Sequence, residues 1–188
     1  DHACAPIDLS ASKSILFSDF GLVKITSDDL RSVGFIKYPN YQFRPSQADM
    51  LHFDLWLDGK NILRDAGSYS YNCVPAFSYY FSSIRAHNTI EIDNAEPMSR
   101  LGVFLFGDWP RIKNTRGLER RAGQIGWAGS YSTRSGAMHH RDVSSHSEGW
   151  DIIDTVVGAK LSIVLRWRLN PDSWILRGNS LSCGSVQL

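Results

Sequence analysis

Apolar residues recur at every second position over Ile15 to Thr26, Leu51 to Leu57, His87 to Asp93, Lys160 to Leu169 and Ser173 to Leu188. That period belongs to half-buried β-strands. Leu51, Phe53, Leu55 and Leu57 share one face, with His52, Asp54 and Trp56 on the other. Ile163, Leu165, Trp167 and Leu169 alternate with Ser162, Val164, Arg166 and Arg168, and the stretch from Ser180 to Leu188 alternates to its end. Turn residues separate these stretches: Asp58-Gly59, Asn114 with Gly117, Asn170-Pro171-Asp172 and Arg177-Gly178-Asn179. Asp58-Gly59, directly after an alternating run and followed by Ile62 and Leu63, predicts a tight hairpin. Only Ser10 to Lys13 and Ala95 to Gly102 have room for short helical turns, and the Ser/Gly/Arg-rich stretch from Arg111 to Arg134 predicts surface loops. The pattern predicts an all-β fold: an antiparallel β-sandwich of stacked sheets with few or no helices, forming a single domain over residues 1–188.

Composition narrows the partners. The 188 residues carry 20 Lys+Arg against 19 Asp+Glu, a formal charge of +1. Bulk electrostatic binding of nucleic acid or of an anionic membrane is therefore not expected. Arginine outnumbers lysine 14 to 6, which leaves room for local recognition of carboxylate or sulfate oxygens by the guanidinium fork. Cys4, Cys73 and Cys183 have no metal-site spacing, and an odd count excludes complete intrachain pairing. No apolar run reaches the roughly 18 residues of a membrane span. The first residue is Asp1, and no basic leader followed by an apolar stretch precedes the strands, so a processed chain or a fragment is expected.

Chemistry concentrates between Arg44 and Asp93, where polar, titratable and aromatic residues interrupt strand ends. The segment contains Arg44-Pro45-Ser46-Gln47-Ala48-Asp49, Arg64-Asp65-Ala66-Gly67-Ser68-Tyr69-Ser70-Tyr71, Tyr79-Tyr80-Phe81-Ser82-Ser83 and Arg85-Ala86-His87-Asn88-Thr89. Taken residue by residue, Asp49 and Asp65 can satisfy turn amides, Tyr69 and Tyr71 can pack a rim, and His87 can be a hydrogen-bonded core histidine. No nucleophile elbow or phosphate-binding glycine loop is present. His139-His140-Arg141-Asp142 with His146 makes a poor chelate, because adjacent strand residues point to opposite faces, and an exposed strand edge is expected there. Asp151 and Asp154 bracket Ile152-Ile153 and are expected to be strand-end polarity.

The segment resembles the C-terminal β-domain of heparinase II/III-like polysaccharide lyases. The resemblance rests on Gln47-Ala48-Asp49, the strand Leu51 to Gly59, Asp65-Ala66-Gly67-Ser68-Tyr69-Ser70-Tyr71 and Ala86-His87-Asn88-Thr89. More loosely, Trp150 to Gly158 and Leu165 to Leu169 resemble later strands of the same domain. It implies supersandwich-like stacked sheets and β-elimination on a uronate-containing acidic polysaccharide. It also implies an N-terminal α/α toroid in the longer protein that supplies the base/acid tyrosine and a neutralising Asn, and a periplasmic or cell-envelope location.

Carried over position by position, the family's catalytic His falls on Pro45, and its zinc ligands fall on Gln47, Asp65 and His87. Proline cannot transfer a proton, and a glutamine amide is a weaker zinc ligand than imidazole. The expectation is therefore no cofactor or a degenerate zinc site, with Gln47, Asp65 and His87 forming a hydrogen-bonded triad. The remaining candidates are His87, Tyr69 and Tyr71 for proton transfer and Arg44, Arg85 and Asn88 for substrate binding. The other reading is a non-catalytic glycan-binding or structural module of cell-envelope polysaccharide metabolism.

Overall fold

The computed structural model of the chain describes residues 13–103 and 105–188. Strands β1 (Ile15–Phe17), β2 (Leu22–Thr26), β3 (Ser32–Lys37), β4 (His52–Leu57) and β5 (Lys60–Leu63) form an antiparallel meander in that order. Its register sets Val23 beside Ile36 and Ile36 beside Phe53, and all three are buried. Asp58 and Gly59 close β4 onto β5 with positive φ angles of 48° and 77°, the twist that a two-residue hairpin requires. After β5 come helix α1 (Pro75–Ser82) and the short strands β6 (Ile90–Ile92), β7 (Ser99–Gly102) and β8 (Leu105–Gly107). A second sheet, ordered β12-β11-β10-β9, is built from β9 (Lys113–Arg121), β10 (Gln124–Ser132), β11 (Met138–His146) and β12 (Gly149–Val157). Strand β13 (Ile163–Leu165) pairs with β6, and β14 (Ile175–Arg177), β15 (Ser180–Cys183) and β16 (Val186–Gln187) form a small meander.

The two larger sheets pack through aromatic residues. Tyr38 stacks on Trp127 with ring centroids 5.1 Å apart. The Trp150 ring of β12 covers Gly34 of β3, where an added Cβ would lie 2.6 Å from Trp150 and 2.7 Å from Phe53. Trp150 Nε1–H donates to Ser32 Oγ at 2.9 Å, so the ring is fixed at its polar end as well. Burial of such aromatic side chains, worth about 1.5–3 kcal/mol each, drives the sheets together.

One buried charge spans both sheets. Arg141 of β11 is fully buried. Its Nε and Nη2 donate to the two carboxylate oxygens of Asp154 on β12 at 2.7 and 2.8 Å. Its Nη1 donates to the carbonyls of Leu51, at 2.6 Å, and Asn88, at 2.7 Å. His139 Nε2 lies 2.7 Å from the same Asp154. Lysine could not do this, because the task needs several donors in a fixed fork.

Several sequence expectations change here. Arg111 to Arg134 is not surface loop: it contributes β9 and β10, with Trp127 to Tyr131 buried. β9 is a charged sheet edge, and β10 uses Gly126, Ala128, Gly129 and Ser130 where larger residues would give an alternating signal. His139 to His146 is not an exposed edge but an inner strand with His139, Arg141, Val143 and Ser145 buried. Asp154 is not strand-end polarity: it lies within β12 as the counter-ion of Arg141. The helix falls at Pro75–Ser82, announced only by a proline at its first position. Ala95 to Gly102 instead holds a turn and β7. Ser10 to Ser12 and Cys4 lie outside the described residues. Ser180 to Leu188 folds back on itself as β15 and β16.

Arg141→Met should destabilise the protein by about 3–5 kcal/mol in urea unfolding, since it removes the cation that pairs the Asp154 carboxylate and leaves Leu51 O buried without its donor. Acid should act at the same place. Burial opposes ionisation of Asp154, but hydrogen bonds from His139 and Arg141 outweigh it and hold its pKa at about 2, below the ordinary 3.8. Burial lowers the pKa of His139 below 6.5 despite Asp154. In both windows the unfolded chain binds the proton and the folded chain does not, so stability falls as pH drops, first below 6.5 and then below 3.8. His139→Gln should flatten the upper part of that decline in urea midpoints measured from about pH 7 to 4.

Candidate functional site

The motif residues of the sequence meet at the start of β4. Leu51 takes a left-handed conformation with φ of 55°, turning the chain so that β4 begins against the His87-Asn88-Thr89 segment. Thr89 Oγ1 donates to Met50 O at 2.7 Å. Asn88 Nδ2 donates to Phe53 O and Arg64 O, and Asn88 Oδ1 accepts from the Arg168 amide at 2.5 Å. Its backbone N–H donates to His52 Nδ1, and its carbonyl accepts from Phe53 N–H and Arg141. Asn88 is fully buried with every polar group engaged. It is therefore a pin between three segments, not a substrate ligand.

Around this pin lie His52, Asp65 and His87. His87 Nδ1 is 2.6 Å from Asp65 Oδ2, and His52 Nε2 is 3.6 Å from the same oxygen. Burial opposes ionisation of Asp65, but the His87 hydrogen bond and the two imidazoles overcome it and hold its pKa at about 2. Asp65 is thus a carboxylate, and His87 Nδ1 carries the proton of their hydrogen bond. Asp65 Oδ1 also accepts from Gly67 N–H at 2.6 Å, closing the turn whose φ of 69° at Gly67 favours glycine. Burial drives the His52 pKa down to about 3, against the pull of Asp65. His52 is therefore neutral, and because its Nδ1 accepts from Asn88 N–H its single proton sits on Nε2.

This geometry bears on the zinc that the family resemblance implies. His52, Asp65 and His87 are close enough to gather around an ion. An imidazole bound to metal through Nε2 must carry its proton on Nδ1 and donate it to a neighbour. His52 has the opposite tautomer, enforced by a main-chain donor that cannot reverse. The set does not fit a zinc held by His52 Nε2. Gln47 stands outside the cluster, its Nε2 donating to Ser68 Oγ at 3.0 Å. The cluster is thus His52, Asp65 and His87 in place of Gln47, Asp65 and His87; His87 and Asp65 are hydrogen-bonded, while His52 Nε2 and His87 Nε2 are buried without a hydrogen-bond partner. Alternation along β4 sends His52 to the outer face, which hid it. The signal for it was an imidazole beginning a strand that already led to Asp65.

The other candidates lie around three recesses. A cavity of about 640 Å³ is lined by Lys37, Tyr41, Arg44, Pro45, Gln47 and Asp49, and a smaller one of about 220 Å³ by Arg44, Gln47, Ser68, Tyr71 and Phe81. Arg44 and Gln47 border both. Asp49 brings a carboxyl whose pKa burial raises above the ordinary range. Tyr69 is 66% exposed, stacked on Phe81 of α1 at 5.3 Å and tilted against Phe77 at the same distance. With Tyr71 beside it, this aromatic rim suits the apolar faces of sugar rings. Arg85 and His87 belong to a different recess, with Tyr80, Arg166 and Arg168. Pro45 brings no proton-transfer group to the larger cavity.

A family model described as heparinase II/III-like, C-terminal, matches residues 11–186. Among solved structures, a heparinase III gene product matches with a TM-score of 0.74 and 19% identity, over 91% of this chain and 26% of that one. A crystal structure of a heparan sulfate lyase from Pedobacter heparinus matches with a TM-score of 0.71 and 20% identity, over 89% of this chain and 26% of that one. A further heparinase III structure matches with a TM-score of 0.69 and 17% identity, over 90% of this chain and 27% of that one. At these identities the likeness concerns the fold. The chain spans about a quarter of the length of these structures. No curated protein matches the sequence.

Asp65→Asn should cost about 1.5–3 kcal/mol in urea unfolding, the range for a hydrogen bond to a charged acceptor. Nitrogen-15 NMR should find His52 protonated at Nε2 and bare at Nδ1; the reverse tautomer would contradict the assignment.

Proposed function

The chain belongs to the heparinase II/III-like C-terminal family, and on that premise we propose that it is the β-domain of a polysaccharide lyase acting on uronate-containing acidic glycans by β-elimination. The observation that carries the reading is the convergence of the Asp65-to-Tyr71 and His87-Asn88-Thr89 segments on one pinned rim, beside cavities bordered by Arg44 and an aromatic platform.

The chemistry explains the division of labour. A proton at C5 of a uronate is a weak acid because the neighbouring carboxylate is already negative. Its removal requires neutralisation of that carboxylate, a positioned base, and an acid for the C4 oxygen that leaves. Arg44 supplies a guanidinium that matches a carboxylate in two parallel hydrogen bonds, and Tyr69 and Tyr71 offer ring faces to the sugar. Pro45 leaves the position of the family's histidine without a proton carrier. The base and acid therefore come from the helical toroid expected elsewhere in the longer protein, in the periplasm or cell envelope. The His52, Asp65 and His87 group works without metal, holding the rim through the His87–Asp65 and Asn88–His52 hydrogen bonds where the family resemblance implies zinc.

Pro45 and Gln47 also favour a second reading, a glycan-binding module that has lost catalysis. The ultraviolet absorbance of the unsaturated product separates the two. The 188-residue chain should give no turnover on uronate polymers, and a longer protein containing it should give turnover. Product formed by the 188-residue chain would overturn the division of labour. Binding without product from the longer protein would favour the module. Purified protein should contain no stoichiometric zinc; zinc present at one equivalent and lost in His87→Ala would sink the metal-free proposal.

A further inference from the structure

The recess beside His87 has a character of its own. About 450 Å³ in volume, it is lined by Tyr80, Arg85, His87, Arg166, Trp167 and Arg168. Three guanidiniums therefore meet around one opening. The carboxylate among them is Glu91, 2% exposed, which takes Arg85 at 2.7 Å and Arg166 at 2.6 Å. Glu96 also lies near Arg85, but it is exposed, and its carboxyl accepts from the Ile84 amide at 3.1 Å. Arg168 has no carboxylate partner among the described residues. Its Nη2 donates to Tyr80 Oη at 2.7 Å, and its guanidinium lies 6.0 Å from the centre of that ring. Arg166 Nη1 and Arg168 Nε are both shielded from solvent without an acceptor.

A guanidinium donor withdrawn from water without an acceptor is costly, and buried polar groups left in this state call for a partner. Three forks against one buried carboxylate leave the recess short of negative charge. Arg168 is held by a main-chain bond to Asn88 and a side-chain bond to Tyr80, so its position is set before any ligand arrives. Preorganisation of this kind lowers the entropic cost of binding.

We propose that the Arg85, Arg166 and Arg168 recess is an anion-binding subsite that takes one carboxylate or sulfate group of an acidic glycan. It is separate from the Arg44 cavities and rests on the glycan reading above only for the identity of the ligand. Tyr80 borders it as a ring face for the attached sugar. Two anionic groups on one glycan chain, one at Arg44 and one here, would fix the chain in two places.

The test uses the 188-residue protein with two probes, inorganic sulfate and sodium glucuronate, followed by the side-chain Nε–H resonances of arginine in proton–nitrogen spectra. At least one probe should shift the Arg166 and Arg168 signals saturably. A response to sulfate alone assigns the subsite to sulfate esters, and a response to glucuronate alone assigns it to uronates. Arg168→Gln should weaken binding by about tenfold, one charge-assisted hydrogen bond's worth, while Arg177→Gln on distant β14 should not. Arg85→Gln, at a half-exposed side chain with Arg166 still paired to Glu91, should weaken binding about two- to fivefold, the effect of one partly screened charge. Neither probe shifting those signals, or unchanged affinity in both Arg168→Gln and Arg85→Gln, overturns the proposal. Absence of elimination activity in a longer protein containing the domain, with anion binding intact in the 188-residue chain, would count against the lyase reading and leave the subsite standing.

Discussion

The bond system of Arg141 is the constraint on which the rest of the molecule depends. A guanidinium without solvent is tolerable only if nearly every donor is used, and here Asp154, Leu51 and Asn88 take up three of its nitrogens in four hydrogen bonds. The acceptors come from three places: the neighbouring strand, the turn before β4, and the Asn88 pin. Satisfying one side chain thus sets the spacing between the second sheet and the rim. The Arg141 guanidinium also lies 5.2 Å from the Trp167 ring, so the segment carrying Arg166 and Arg168 is tied to the same charge.

On the metal-free proposal, the rim takes a second route to the rigidity that a metal would give. A carboxylate held ionised at Asp65, facing one imidazole at 2.6 Å and another at 3.6 Å, gathers the same kind of side chains that an ion would gather. The difference lies in the protons. Asn88 N–H fixes which nitrogen of His52 bears hydrogen, so a main-chain amide decides the chemistry of the cluster. Gln47 at the position where the resemblance implies a histidine, and His52 in the cluster, suit the proposed rim whose task is positioning.

The sequence made much of this legible, and its failures have physical causes. Alternation found β2, β4, β6 and β13, and Asp58-Gly59 found a hairpin, because local backbone preference and burial agree there. Asp65 and His87 were legible as partners only through the family resemblance, which carries both onto one ligand set. His52 was not, since both faces of β4 are buried at its first residues and alternation assumes one wet face. Arg141 and Asp154 looked like surface charges because their pairing is a cross-strand contact, and β10 was hidden by Gly126, which lies against Val143 O, and Gly129, which makes room for Trp127. Helix α1 leaves most of its aromatic residues exposed, so it carries little of the period that marks a helix packed on a core.

The separations bridged by Arg141 have a kinetic side. Its bond to Leu51 joins residues 90 apart in the chain, and its bond to Asn88 joins residues 53 apart. The meander of β1 to β5 and the hairpins of β9 to β12 close short loops and can form early. The clamp pays the entropy of long loop closure and forms late. Until it does, the first turn of β4, the Asn88 pin and the arginine recess have no fixed relation to one another. The geometry on which the proposed recognition depends is therefore the last the folding chain acquires, and the first lost when the sheets begin to part.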